Sequence, residues 1–154
     1  MKNVYNLFMR PILAASSLFA LALLGCGGPS LAGDWTVTND KLPPGATATA
    51  NFTSNTFKMD IKAGQGGVNV SITTDGNYTL KGEELSMTTV NSTFDDSQIP
   101  AAFKPMVEPA KKAMEEAKGK ATTGTVKIEG DTATFIGKDH KGEAVTMTFT
   151  KVKK

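Results

Sequence analysis

Thr56-Phe57-Lys58-Met59-Asp60-Ile61-Lys62 decides the fold. Phe57, Met59 and Ile61 alternate here with Lys58, Asp60 and Lys62. Successive side chains of an extended chain point to opposite faces, so a period of two puts the apolar three together and the charged three on the other side. The stretch reads as a strand with one dry face and one wet face.

The same period runs outward in both directions. Upstream, Trp35 and Val37 share a face in Asp34-Trp35-Thr36-Val37-Thr38, and residues 46–52 alternate Ala46, Ala48 and Ala50 with polar neighbours. Downstream, Val68-Asn69-Val70-Ser71-Ile72-Thr73 alternates again. Thr74-Asp75-Gly76-Asn77 then reads as a hairpin turn, because a type I′ turn needs positive φ at both central residues and Asp-Gly supplies it. Tyr78 and Leu80 point inward on the return, Lys81-Gly82-Glu83 turns, and Leu85-Ser86-Met87-Thr88 continues the meander. Thr125 to Ile128, Ala133 to Ile136 and Val145 to Thr150 bring the expectation to about nine short strands. Lys81-Gly82-Glu83-x-Leu85-x-Met87 is echoed by Lys141-Gly142-Glu143-x-Val145-x-Met147, which reads as reuse of a good turn rather than duplication.

One segment breaks the pattern. Ile99, Phe103, Met106, Ala110, Ala113 and Ala117 recur at spacings of 4, 3, 4, 3 and 4, which is one helical face. Asp95-Asp96-Ser97 offers cap oxygens for its start, and Gly119 its end. Pro105 and Pro109 interrupt the run, so the expectation is a short turn near 99–104 and a main helix from about Met106 to Lys118. An antiparallel meander with one apolar face must close or stack to bury that face and hide its edges. The fold expected is all-β with one inserted helix: an antiparallel up-and-down barrel, closed or half-open, with a two-sheet sandwich as the alternative.

The N-terminus carries an address. Lys2 and Arg10 precede an apolar run, Ile12 to Leu24, which ends in Leu23-Leu24-Gly25-Cys26 and gives way to Gly27-Gly28-Pro29-Ser30. Charged start, apolar middle and small residues before a cut is the layout of a secretory signal, and thirteen residues fall short of the roughly 20 a membrane-crossing helix needs. The four residues resemble the lipobox of bacterial lipoproteins. That resemblance implies cleavage before Cys26 and acylation of Cys26 with two or three chains, palmitate among them, as a stable membrane anchor. It also implies a place in the cell envelope. With Gly27 after the Cys, the place in a Gram-negative source is the periplasmic face of the outer membrane. The expected organisation is a signal peptide over 1–25, a lipidated Cys and short tether over 26–30, and a β domain over 31–154 with its helical insertion at about 98–118.

Composition removes several function classes. Removing 1–25 leaves 129 residues with 15 basic and 15 acidic side chains and no Arg, a poor match to a nucleic-acid surface. Cys26 is the only cysteine, so the domain has no internal disulfide and no thiol chemistry once that residue is lipidated. His140, the only histidine, sits in a charged turn and reads as a surface residue rather than a metal ligand or triad member. The reading contains no metal, no cofactor and no enzyme.

Leu31-Ala32-Gly33-Asp34-Trp35 and the ending Met147-Thr148-Phe149-Thr150-Lys151-Val152 resemble the small lipocalin-like domains of bacterial lipoproteins. The resemblance implies that Trp35 closes one barrel end beneath a basic residue of the last strand, usually Arg; here Lys151 occupies the inward phase. The residues expected to line the interior, and any ligand in it, are Trp35, Phe57, Met59, Tyr78, Phe103, Met106, Phe135, Met147 and Phe149. The helix is either a lid over a mouth or a fixed plug. Two functions follow: a membrane-anchored module that binds a small apolar or amphipathic ligand, or an interaction lipoprotein with a solid barrel that meets another envelope protein.

Overall fold

The computed structural model describes residues 30–39, 41–42, 44–65 and 68–153, without the side chains of Gln65, Val68, Phe103 and Met106. The expected signal peptide and Cys26 lie outside the described residues. The strands are β1 (Gly33–Asn39), β2 (Thr47–Phe52), β3 (Thr56–Gln65), β4 (Val68–Lys81), β5 (Glu84–Asp95), β6 (Ala121–Glu129), β7 (Thr132–Lys138) and β8 (Ala144–Lys151). A 3-10 turn, Ala101–Phe103, leads into α1 (Lys104–Ala117) between β5 and β6. Each strand pairs antiparallel with the next, and β8 pairs with β1, which closes the barrel.

The difference from about nine expected strands lies at Asp75-Gly76. These residues do not turn. β4 runs straight through them, and the β4–β5 register slips by one between Asp75 and Gly76. Gly76 lacks the positive φ of a hairpin turn. It is needed for space: a Cβ there would overlap the Thr88 carbonyl oxygen and come within 2.9 Å of the Phe57 ring. The bulge also reverses the face of β5. Leu85 and Met87 lie opposite Leu80 and Tyr78, whereas beyond the slip Ser92 and Phe94 lie opposite Thr74 and Ile72. One extra residue in one strand has this effect because side-chain direction alternates with period two.

The register sorts the wall. Ile128, Ala133, Phe149, Val37, Ala48, Ile61, Ile72 and Phe94 form one cross-strand row on the inside. The outside is polar: Thr36 faces out between Thr49 and Thr150, and Thr38 beside Thr148. A strand barrel that crosses a bilayer needs an apolar outer band. Among the described residues the exposed large apolar side chains are Val90, Ile136 and Val152, which form no such band.

The two ends differ. At one, the turns are short and the N-terminal residues fold in: Leu31 is fully buried and its carbonyl accepts a 2.7 Å bond from Trp35 Nε1. Phe52 meets Tyr78 and Phe149 edge-on, at 5.2 and 5.7 Å between ring centres, and Phe57 at 6.2 Å. This is the closed end. At the other lie the β1–β2 and β7–β8 loops and the helix. The echoed turns fall at opposite ends, Gly82 at the closed one and Gly142 at the other, as reused turns do and a four-strand duplication does not.

Candidate ligand-binding mouth

The helix fills a gap in the wall. β6 starts opposite Thr88, and Gly119 N–H donates to the Thr89 carbonyl at 2.8 Å, so residues 90–95 of β5, paired with β4 on one side, have no strand on the other. α1 packs back along this stretch. Pro105 is tolerated in its first turn, where the N–H has no helical partner. Pro109 lies inside the helix, and Gly119 ends it with φ 73°. The expected span was therefore close. The expected cap was not: Asp95 accepts the Ser97 N–H at 2.9 Å in a local turn, and Asp96 bonds to Lys111 rather than to the helix start.

Between α1 and β5 lies a cleft of about 460 Å³, lined by Ser92, Phe94, Glu108, Lys111, Lys112, Met114 and Glu115. Ser92 and Phe94 of this lining face inward by register, and the other five residues come from the helix. Lys111 Nζ stands 5.6 Å from the centre of the Phe94 ring and 2.6 Å from Asp96 Oδ2, with Glu108 at 3.2 Å. The hydrogen bond to Lys111 holds the Asp96 carboxyl below its ordinary value, and the same bond, then that to Glu108, holds Lys111 above its own. Next to Phe94, Ser92 and Thr74 share a 3.0 Å hydroxyl bond on the inner wall. Met59, Ile61, Ile72, Phe94 and Val145 all point inward by register yet remain partly exposed.

Further ion pairs tie the rim together. Lys141 reaches Glu116 of the helix at 3.8 Å, and Glu143 reaches Lys41 of the β1–β2 loop at 3.2 Å. The β7–β8 hairpin that carries both is set by Asp139, whose carboxylate accepts the Lys141 and Glu143 N–H groups at 2.8 and 2.9 Å. Burial raises the Asp139 carboxyl, but these donors outweigh it and the net shift is downward. His140 sits in this hairpin and is half-buried rather than on the open surface, with Nε2 shielded and unpartnered among the described residues.

The interior residues expected from sequence divide between the two ends. Trp35, Phe57, Tyr78 and Phe149 are at most 7% exposed and pack toward the closed end as core, and Phe135 is fully buried at the middle of β7. Met147 is buried beside Phe135, and Met59 adjoins the same cluster but stays partly exposed. Phe103 and Met106 stand in the 3-10 turn and the first turn of α1, and their side chains lie outside the description. Sequence reasoning missed Ser92 and Phe94, which the bulge alone turns inward. Among the described residues no group of His, Cys, Asp and Glu could hold a metal ion, and no helix is long and apolar enough to cross a membrane.

No family model and no curated protein matches this chain. Among solved structures it is similar to a redesigned β-barrel, at 16% identity and a TM-score of 0.42, covering 80% of this chain and 92% of that one.

Proposed function

We propose that this chain is an envelope lipoprotein, anchored through acylated Cys26, whose barrel binds a small apolar or amphipathic ligand and catalyses no reaction. The observation that carries the binding role is the contrast between the two ends of one inner wall. The closed end buries its aromatic side chains, while Ile61, Ile72, Phe94 and Val145 on the same inner wall face inward and stay partly exposed. Pockets that are mostly apolar with a few polar groups suit small ligands. Here an apolar wall combines with the Thr74–Ser92 hydroxyl pair and, at the lip, Lys111. That mixture suits an amphipathic molecule, its chain against Ile61, Ile72 and Phe94 and its polar end toward the helix.

The anchoring role rests on the lipobox resemblance of Leu23-Leu24-Gly25-Cys26. The second reading, an interaction lipoprotein with a solid barrel, draws on the aromatic packing that fills the closed half. Native mass spectrometry of the mature chain, purified gently from its host envelope, separates the two. A reproducible extra mass released on denaturation supports the binding barrel and gives the ligand class. A bare protein that also takes up no fluorescent fatty-acid probe supports the solid barrel and directs the search to a protein partner.

A further inference from the structure

We infer that, once anchored through Cys26, the barrel holds the mouth at its helix end away from its own membrane and loads ligand from the aqueous envelope space, not from the leaflet that anchors it. The inference rests on the proposed lipidation and adds an orientation and a route to it. Its basis is where the chain enters the barrel. Leu31 is buried in the closed end, its carbonyl is bonded to Trp35 Nε1, and the Asp34 carbonyl is fixed by Val152 N–H at 2.9 Å. The entry point therefore cannot swing to the mouth without unpacking that end.

Lengths make the separation decisive. Only residues 27–29 lie between Cys26 and Ser30, and such a segment spans about 10–14 Å when extended. β4 alone has 14 residues. At about 3.3 Å per residue and a tilt near 40°, it sets the far rim about 35 Å from the closed end. The tether is too short for the mouth to meet lipid unless the barrel lies on its side. The outer wall gives no reason to lie down: Thr36, Thr38, Thr49, Thr148 and Thr150 cover it where an interfacial element would bury apolar side chains. The closed end gives no strong pull either, since Lys153 is paired with Asp131 at 3.0 Å. A ligand must therefore reach the mouth as a dissolved monomer or in the hands of a soluble carrier.

The test uses the full chain, processed in its host and reconstituted into phospholipid vesicles with a fluorescent acceptor lipid. Donor dyes are placed at exposed Ser54→Cys beside the closed end or at Ser97→Cys beside the mouth. The expected result is energy transfer at least twofold greater from position 54 than from position 97. Equal or reversed transfer from chains that stay with the vesicles overturns the orientation and leaves the anchor standing. Chains that fail to stay with the vesicles, and whose Cys26 thiol itself takes dye, overturn the anchor and the orientation with it.

Discussion

Lys151 stands directly across the β1–β8 ladder from Trp35 and holds its ammonium 5.5 Å from the centre of the indole ring. A cation over an aromatic face is attracted by the ring's quadrupole, worth about 0.5–1 kcal/mol at an exposed site. The contact sets a last-strand lysine over the one tryptophan of the sequence, at the closed end. Lys151→Ala is expected to cost about 0.5–1 kcal/mol in urea unfolding. Lys151→Arg is expected to hold or raise stability, because a planar guanidinium also stacks on the ring. A Lys151→Arg protein less stable than Lys151→Ala would remove the contact from the account of the closed end.

Gly76 tests the bulge. Its missing Cβ makes room for the Phe57 ring and the Thr88 carbonyl. Gly76→Val is expected to destabilise by about 3 kcal/mol or more, well beyond the usual strand preference for Val, since the clash is with backbone and not with a movable chain end. A folded Gly76→Val protein with an unchanged urea midpoint would mean that β4 turns at this point after all.

This residue also shows where the sequence stopped being legible. The period of two at Phe57, Met59 and Ile61 identified a barrel wall because it depends only on neighbours along the chain. Asp-Gly is ambiguous at that range: it fits a tight turn, and it fits a bulge where another strand presses close. What decides between them is the Phe57 ring on β3, about twenty residues away. The same slip hid Ser92 and Phe94, since continuing the phase of Leu85 and Met87 points both outward. The helix was legible from its spacing, but its position was not, because the gap it fills is created by β6 starting opposite Thr88.

Ser92 and Phe94 give the direct test of the mouth. Ser92→Trp places a large side chain in the cleft beneath α1 and is expected to weaken fatty-acid probe binding about tenfold or more, a loss of about 1.4 kcal/mol. Thr36→Ser on the outer wall is expected to leave probe binding unchanged. Equal binding by Ser92→Trp and the parent chain would place the ligand elsewhere and count against the cleft.

The Asp96–Lys111 pair makes the helix sensitive to pH at both extremes. Asp96 has its folded value lowered, so its contribution is present above the ordinary 3.8 and is lost as pH falls through the lowered value. Lys111 has its folded value raised, so its contribution is present below the ordinary 10.5 and is lost as pH rises through the raised value. Protection of the α1 amides, their exchange rate relative to the intrinsic rate at the same pH, is therefore expected to be greatest between those limits and to fall outside them. Asp96→Asn should abolish the acid limb. An acid limb that persists in Asp96→Asn would assign it to other carboxylates.

Tyr78 and His140 are opposite cases of a polar group in a barrel. The Tyr78 hydroxyl donates to the Thr53 carbonyl at 2.7 Å, and burial pushes its ionisation above the ordinary 10.0. The folded state thus holds this proton more tightly than the unfolded chain does, and stability falls as pH rises past 10. Tyr78→Phe should cost about 1 kcal/mol at neutral pH, the net worth of one hydrogen bond, and flatten that alkaline fall. His140 Nε2, by contrast, is shielded with no partner among the described residues. Replacing an unsatisfied polar atom by an apolar group of similar shape is neutral or stabilising, so His140→Phe should match or exceed the parent by up to about 1 kcal/mol. Urea unfolding of both variants checks the pair. If His140→Phe lost as much as Tyr78→Phe, the imidazole would have a bonding partner in solution, and the β7–β8 hairpin at the mouth would owe part of its shape to it.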